Sequence, residues 1–233
     1  MKLSIIIPVF NEEKTIAEII ERVEAVKFGN VSKEIIVVDD GSTDATLQKI
    51  PKDAVILIKH PKNMGKGAAV KSGIGVANGD YVIIQDADLE YDPKDIPILL
   101  EPILNRKSKV VYGTRLNRLP HLKQEEKTGR FLLHYLGNRF LSLVTSILYG
   151  SWLTDIETCY KIFPSKAGKK FNLRSKRFDF EPEITAKLLK SGYKILEIPI
   201  TTVPRGYNEG KKLRTFHDGT IALWTLIKFR FFN

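Results

Sequence analysis

Cysteine is nearly absent: Cys159 stands alone in 233 residues. A lone thiol excludes an intramolecular disulfide framework and a cysteine-built zinc site, and it fits a reducing compartment. Long apolar runs are missing too. The longest stretch without a charge lies between Arg139 and Asp155 and has fifteen residues, short of the about 20 that a spanning helix needs. At the amino terminus only seven residues, Leu3 to Val9, precede Asn11, Glu12 and Glu13. That is too short for the apolar region of a signal peptide, no small-residue cleavage site follows, and the segment reads as a buried strand. Complete glycine signatures are also lacking. Asn63-Met64-Gly65-Lys66-Gly67 fits neither G-x-x-x-x-G-K-[ST] nor G-x-G-x-x-G, because Val70 stands at the third glycine position. A helix start near a diphosphate and a plain turn fit it equally well.

What is present is an ordinary globular composition, 43% apolar and 27% charged with 16 Gly and 11 Pro, which excludes disordered, collagen-like and coiled-coil chains. The length suits a single domain over residues 1–233. Charge is unevenly placed. Residues 1–115 hold 16 basic and 17 acidic side chains, and residues 116–233 hold 21 and 10. The net +10 therefore resides in the second half, where it can serve a nucleic acid, an anionic membrane surface, a phosphorylated substrate or simple solubility.

LSIIIPV, EIIVVDD, AVILIKH and DYVIIQDAD are Ile- and Val-rich runs that end in polar residues. Helical patterns follow each, over Glu12 to Val26, Thr43 to Ile50, Gly67 to Ala77 and Pro93 to Leu104. The alternation predicts βαβ units and an α/β fold with a mainly parallel sheet covered on both faces. The second half is less regular. It reads as a polar loop over 116–128, a helix from about Arg130 to Tyr149, a short strand CYKIF and a basic connector to Lys176. A helix over Glu183–Lys190, a strand YKILEIPI, a Gly- and Lys-rich loop and a last helix from about Phe216 to Phe231 complete it.

In such sheets ligands sit beyond the carboxyl ends of the strands. Asp86 and Asp88 lie there, with Glu90 continuing the alternation; on extended backbone, side chains two apart point the same way and converge on a hard cation, Mg²⁺ or Mn²⁺. A solvated acidic turn before Pro93 is the plainer alternative. Asp40 ends the second strand, where one carboxylate can take a base or ribose hydrogen bond.

Taken together, IIIPVFNEE, VVDDGSTDAT, NMGKGAAVKSG and GDYVIIQDADLEYDP resemble the nucleotide-sugar-binding half of family 2 glycosyltransferases of the GT-A fold. YGTR, TDIETCYKIF, FDFEPEITAKLLKSGYKILEIPI and RGYNEGKKL are similar to the branch containing dolichyl-phosphate mannose synthase and bacterial polyprenyl-phosphate glycosyltransferases. The resemblance implies a donor-binding half over 1–115, an acceptor side over 116–215 and an amphipathic surface helix over 216–233. It implies that Pro8, Phe10, Glu12, Val38 and Asp40 hold base and ribose, and that Asp86, Asp88 and Glu90 face the metal and diphosphate. Arg115, Arg130, Arg205 and Lys211 match basic positions that contact donor or acceptor phosphates. His134 stands where that branch commonly has a serine near the acceptor phosphate, and Asp179 where some mannose synthases have a lysine.

The expected reaction moves a hexose, with inversion, from a GDP-mannose or UDP-glucose type of donor to a polyprenyl or dolichyl phosphate. Asp88 and Arg205 would stabilise the leaving diphosphate. A largely dianionic phosphate acceptor needs little base catalysis. A hydroxyl acceptor, the alternative, would need one, with Asp155 or Glu157 as candidates. A Rossmann oxidoreductase lacks its glycine fingerprint, and a polyanion-binding module leaves the strand-end carboxylates unexplained. Aromatic and basic residues near the carboxyl terminus, Trp224, Lys228, Phe229, Arg230, Phe231 and Phe232, suit a membrane interface or a packed core helix. The expected location is cytoplasmic, peripheral at the membrane.

Overall fold

The structure, a computed structural model, describes residues 1–115, 129–203 and 215–232, with the side chains of 129–131, 134, 215 and 216 left aside. β1 (Lys2–Val9) is buried at every residue from Leu3 onward. Successive strand side chains point to opposite faces, so both faces of the sheet are covered here. β1 runs parallel to β2 (Ser32–Asp39) and to β4 (Tyr81–Ile84), and β3 (Ile56–Lys59) extends the parallel set beyond β2. β6 (Lys161–Pro164) enters antiparallel between β4 and β5 (Val110–Thr114), and β7 (Ile195–Pro199) pairs parallel with β5. The result is one mixed, mainly parallel sheet of seven strands in the order β3-β2-β1-β4-β6-β5-β7.

Helix α1 (Ile16–Ala25) buries Ile16, Ile19, Ile20 and Val23, the stripe that a 3.6-residue period requires. α2 (Lys66–Val76) packs on β1 and β2, and α3 (Ile96–Leu104) on β5. After α4 (Gly129–Tyr149), α5 (Ser165–Lys170) and α6 (Phe180–Lys190), the chain ends in α7 (Thr215–Phe231). α7 forms a second, smaller core with α4 through Leu141, Leu153, Ile156, Ala222 and Leu226. The Tyr149 hydroxyl donates to the Leu226 carbonyl at 2.7 Å and Lys190 Nζ donates to that of Phe229 at 2.9 Å. Its apolar residues lie on buried and exposed sides alike, so α7 is a packed helix with an apolar outer face rather than a simple amphipathic one. No helix among the described residues is long and apolar enough to cross a membrane.

Three elements depart from the expectation. The helix over Thr43 to Ile50 is only a 3₁₀ turn at Leu47–Lys49. The backbone donors at its start are taken by side chains: Thr43 N–H donates to Asn11 Oδ1 at 2.8 Å, Ala45 N–H to Glu13 Oε2 at 3.0 Å and Thr46 N–H to Asp44 Oδ1 at 2.9 Å. The last of these is the local turn that an Asp side chain favours two residues on. β5, the VVYGT segment, is a full strand, and the basic connector contains α5. The loops expected over 116–128 and around Gly206 lie outside the described residues.

The start of α2 is wedged against residues 175–177. Gly65 has φ +98°, and a Cβ there would overlap the Lys176 carbonyl oxygen, whereas Gly75, in the same helix, has nothing within 4 Å. Gly65→Ala is therefore expected to lower unfolding free energy by about 2–4 kcal/mol, the sum of backbone strain and overpacking. Gly75→Ala should raise it by about 0.5–1 kcal/mol. Urea denaturation of the two variants checks both signs.

Candidate active site

The carboxyl ends of the parallel strands open onto a cavity of about 460 Å³. Pro8, Phe10 and Glu12 reach it from the end of β1, Asp40 from β2, and Asn63, Gly65 and Lys66 from the start of α2. Asp86, Asp88, Glu90 and Tyr91 follow β4, Arg115 follows β5, and Glu157, Arg177, Phe178 and Glu181 complete the wall.

Asp40 is held from three sides. The backbone N–H groups of Met64 and Gly65 donate to it at 2.9 and 2.7 Å, and His60 Nδ1 lies 2.7 Å from its Oδ1. His60 Nε2 is 2.9 Å from Ser72 Oγ. Ser72 does not line the cavity, so this Ser-His-Asp line braces the carboxylate and presents no nucleophile.

After β4 the backbone does not stay extended. It turns at Ala87 and Asp88, and Leu89 adopts φ 63°, an uncommon state for a non-glycine residue. Asp86, Asp88 and Glu90 still face one cavity, but through a turn rather than through strand alternation, and Glu90 N–H donates to Asp88 Oδ1 at 3.1 Å. Among the described residues no group of three or more His, Cys, Asp or Glu side chains is arranged to hold a metal ion. Asp86 and Asp88 are therefore a partial set of hard oxygen donors, which suits an ion that takes its other ligands from phosphates and water.

Lys66 organises the centre. Its Nζ lies 2.8 Å from Asp86 Oδ1 and 3.0 Å from Glu181 Oε1. Burial opposes its charge, yet Asp86 and Glu181 outweigh burial and hold the ammonium well above its usual range.

Arg115 also lines the cavity. It donates to Asp155 through its backbone N–H at 3.0 Å, Nε at 2.7 Å and Nη2 at 2.8 Å, and Asn138 Nδ2 adds a bond at 2.8 Å. Against burial, the Arg115 charge and these bonds keep the Asp155 carboxyl below its usual range. Lys161 is buried beneath, with Nζ donating to the carbonyls of Ile156 at 2.8 Å and of Thr158, and lying 4.8 Å from the Tyr112 ring centre. Burial lowers its pKa to about 8, and burial with the nearby Glu181 charge pushes Glu157 up to about 8.

Two assignments change. Val38 is fully buried in the core and does not line the cavity, because alternation along β2 turns it into the sheet packing. Asp155 is also fully buried and off the cavity wall. Four hydrogen bonds occupy its oxygens, so it positions Arg115 and cannot serve as a base. The remaining carboxylates meet as expected, along with Pro8, Phe10 and Arg115. Arg205 and Lys211, and the side chains of Arg130 and His134, lie outside what the structure describes. Lys66, His60 and Glu181 were not anticipated. Only Lys66 carried a signal, a lysine between two glycines at a helix start.

The sequence model of glycosyl transferase family 2 matches residues 4–160. The chain belongs to this family. Among its relatives, the UDP-N-acetylglucosamine–dolichyl-phosphate N-acetylglucosaminyltransferase of Methanococcus voltae is 31% identical over 227 residues, covering 88% of this chain and 86% of that one. The dodecaprenyl-phosphate galacturonate synthase of Rhizobium johnstonii is 31% identical over 221 residues, covering 91% of this chain and 62% of that one. Glucosyl-3-phosphoglycerate synthase of Mycobacterium tuberculosis, crystallised with Mn²⁺, UDP and phosphoglyceric acid, superposes with a TM-score of 0.75 at 20% identity, covering 100% of this chain and 79% of that one. This family 2 glycosyltransferase accordingly has the GT-A fold.

The raised Glu157 pKa has a thermodynamic sign. The folded enzyme keeps a proton that the unfolded chain releases near the ordinary carboxyl value of 4.5, so this group's contribution to stability falls as pH rises from there to about 8. Glu157→Gln cannot ionise. Its melting temperature should gain on the wild type progressively between about pH 5 and pH 8, and a gap independent of pH would contradict the assignment.

Proposed function

We propose that this enzyme transfers a hexose from a UDP-sugar to a polyprenyl phosphate, with inversion at the anomeric carbon. The observation that carries the reading is that Asp86, Asp88, Lys66 and Arg115 line one cavity. A diphosphate and a phosphate monoester each need cationic partners, and one cavity offers both. The names of the Methanococcus and Rhizobium relatives, which act on dolichyl and dodecaprenyl phosphate, support the acceptor. The Methanococcus enzyme's donor and the UDP-bound fold neighbour support uridine.

Phe10, Glu12 and the braced Asp40 would hold base and ribose. Asp86 and Asp88 would hold Mg²⁺ or Mn²⁺, which when bound neutralises charge on the departing diphosphate. Lys66 adds a fixed positive charge beside it. Arg115, fixed by Asp155, orients the acceptor phosphate, whose dianion attacks opposite the diphosphate without a protein base. Arg130, His134, Arg205 and Lys211 are proposed as further phosphate contacts. Residues 1–115 chiefly carry the donor and 116–215 the acceptor side of one domain. A hydroxyl acceptor is a second reading, favoured by Glu157, a cavity carboxyl with a pKa near that of a general base.

We further propose that the enzyme sits peripherally on the cytoplasmic face of the membrane. α4 exposes Leu136, Phe140, Leu143 and Ile147 along one stripe, and α7 beside it exposes Trp224 and Phe231. Contiguous exposed apolar surface of this kind marks an interaction site, and its aromatic rings suit the headgroup level.

Three measurements follow. UDP-sugars with Mn²⁺ should raise the melting temperature more than GDP-sugars do. Asp88→Asn should fold normally and lose about a hundredfold or more of transfer, because an amide is a poor substitute for a carboxylate ligand; full activity of that variant in chelator would remove the metal from the mechanism. Deleting α7 would strip the second core, so membrane contact is better tested by the triple change Phe140→Ser, Ile147→Ser and Trp224→Ser. It should abolish sedimentation with anionic vesicles at unchanged melting temperature.

A further inference from the structure

The cavity is also lined by Glu157 and Glu181, to which the phosphate-acceptor mechanism above gives no role. Lys66 bridges Asp86 to Glu181, at 2.8 and 3.0 Å. Glu181 is 4% exposed, and its Oε2 is buried with no hydrogen-bond partner. Glu157 Oε1 is in the same condition. A buried acceptor left unsatisfied costs about 1–3 kcal/mol, and native proteins seldom keep two side by side without a use. Both residues line the cavity, so a ligand there meets their side chains.

We infer that Glu181 and Glu157 form the pocket for the transferred sugar and bind it by accepting hydrogen bonds from its hydroxyl groups. This rests on the donor reading above, because Lys66 joins Asp86, where the diphosphate is proposed to bind, to Glu181, and so brings the hexose attached to that diphosphate beside this wall of the cavity. The chemistry fits the gap. A hexose presents several hydroxyls on one ring; the Glu181 carboxylate, paired with Lys66, accepts from them more strongly than a neutral group does, and the Glu157 carboxyl, protonated below about pH 8, offers one acceptor and one donor. Lys161 supports the arrangement from below. By holding the Ile156 and Thr158 carbonyls, it fixes the segment that carries Glu157. Selection among hexoses then falls to Glu181 and Glu157, while selection of the base falls to the Asp40 end.

The test separates the sugar from the nucleotide. Affinities of UDP, UDP-glucose and UDP-N-acetylglucosamine are measured calorimetrically with Mn²⁺ for the wild type, Glu181→Gln and Glu157→Gln. Glu157→Gln should keep UDP affinity within about twofold; Glu181→Gln also removes a partner of Lys66, so its sugar affinity is read relative to its own UDP affinity. On that scale each variant should lose about tenfold for the better-bound UDP-sugar, the scale of one hydrogen bond. Equal affinities of variant and wild type for the sugar nucleotides would overturn the inference while leaving the donor site standing. Failure of wild-type enzyme to bind UDP at all would overturn the donor reading and this inference with it. Should either variant not fold, deoxy analogues of UDP-glucose on the wild type decide. Loss of about tenfold at one or more ring hydroxyls supports the pocket, and equal binding of every analogue refutes it.

Discussion

A charge taken out of water must be met by an opposite charge or by several hydrogen bonds, and at the carboxyl edge of this sheet that requirement dictates much of the architecture. Lys66 at the start of α2 lies between Asp86 after β4 and Glu181 on α6. To make that bridge, α2 must press its first turn against residues 175–177, which is why Gly65 and Gly67 leave no room for a Cβ. Arg115 after β5 is satisfied by Asp155, and Asp155 by Asn138 of α4. Elements far apart in the chain are thus fastened at one edge, and the cavity is what remains between their fastenings.

In the proposed reaction the same arrangement would divide the labour. Fixed cations would stand where negative charge arrives or departs, so that little reorganisation is needed as the sugar moves. The acceptor side is joined to an apolar face by α4 itself, whose Asn138 touches Asp155 while Leu136, Phe140 and Ile147 face outward. A lipid-linked phosphate lying along that helix would bring its headgroup to Arg115 without leaving the membrane surface.

Much of the first half was legible because burial on both faces writes itself as unbroken Ile and Val, as in β1, and because α1 keeps a strict helical stripe. The donor-side carboxylates were legible because they stand where those runs end. What escaped detection depended on contacts distant in sequence. The segment over 43–50 is tied by its first backbone donors to Asn11 and Glu13, residues some thirty positions earlier. Lys161 in the strand CYKIF carried no sign of its burial on two carbonyls and beside a ring. Asp155 looked like a base because nothing local announced that Arg115 would occupy it, and Glu181 fell before the expected helix over Glu183–Lys190, although α6 starts at Phe180.

The central claim is that the phosphate of a polyprenyl carrier, rather than a hydroxyl, receives the sugar. Incubating the enzyme with Mn²⁺, a UDP-hexose that it binds, and equal amounts of polyprenyl phosphate and the matching polyprenol measures this directly, with the lipid products resolved by mass and their anomeric configuration read by NMR. The account predicts a polyprenyl phosphate hexose of inverted configuration and no glycosylated polyprenol. Glycosylated polyprenol with the phosphate untouched would contradict it.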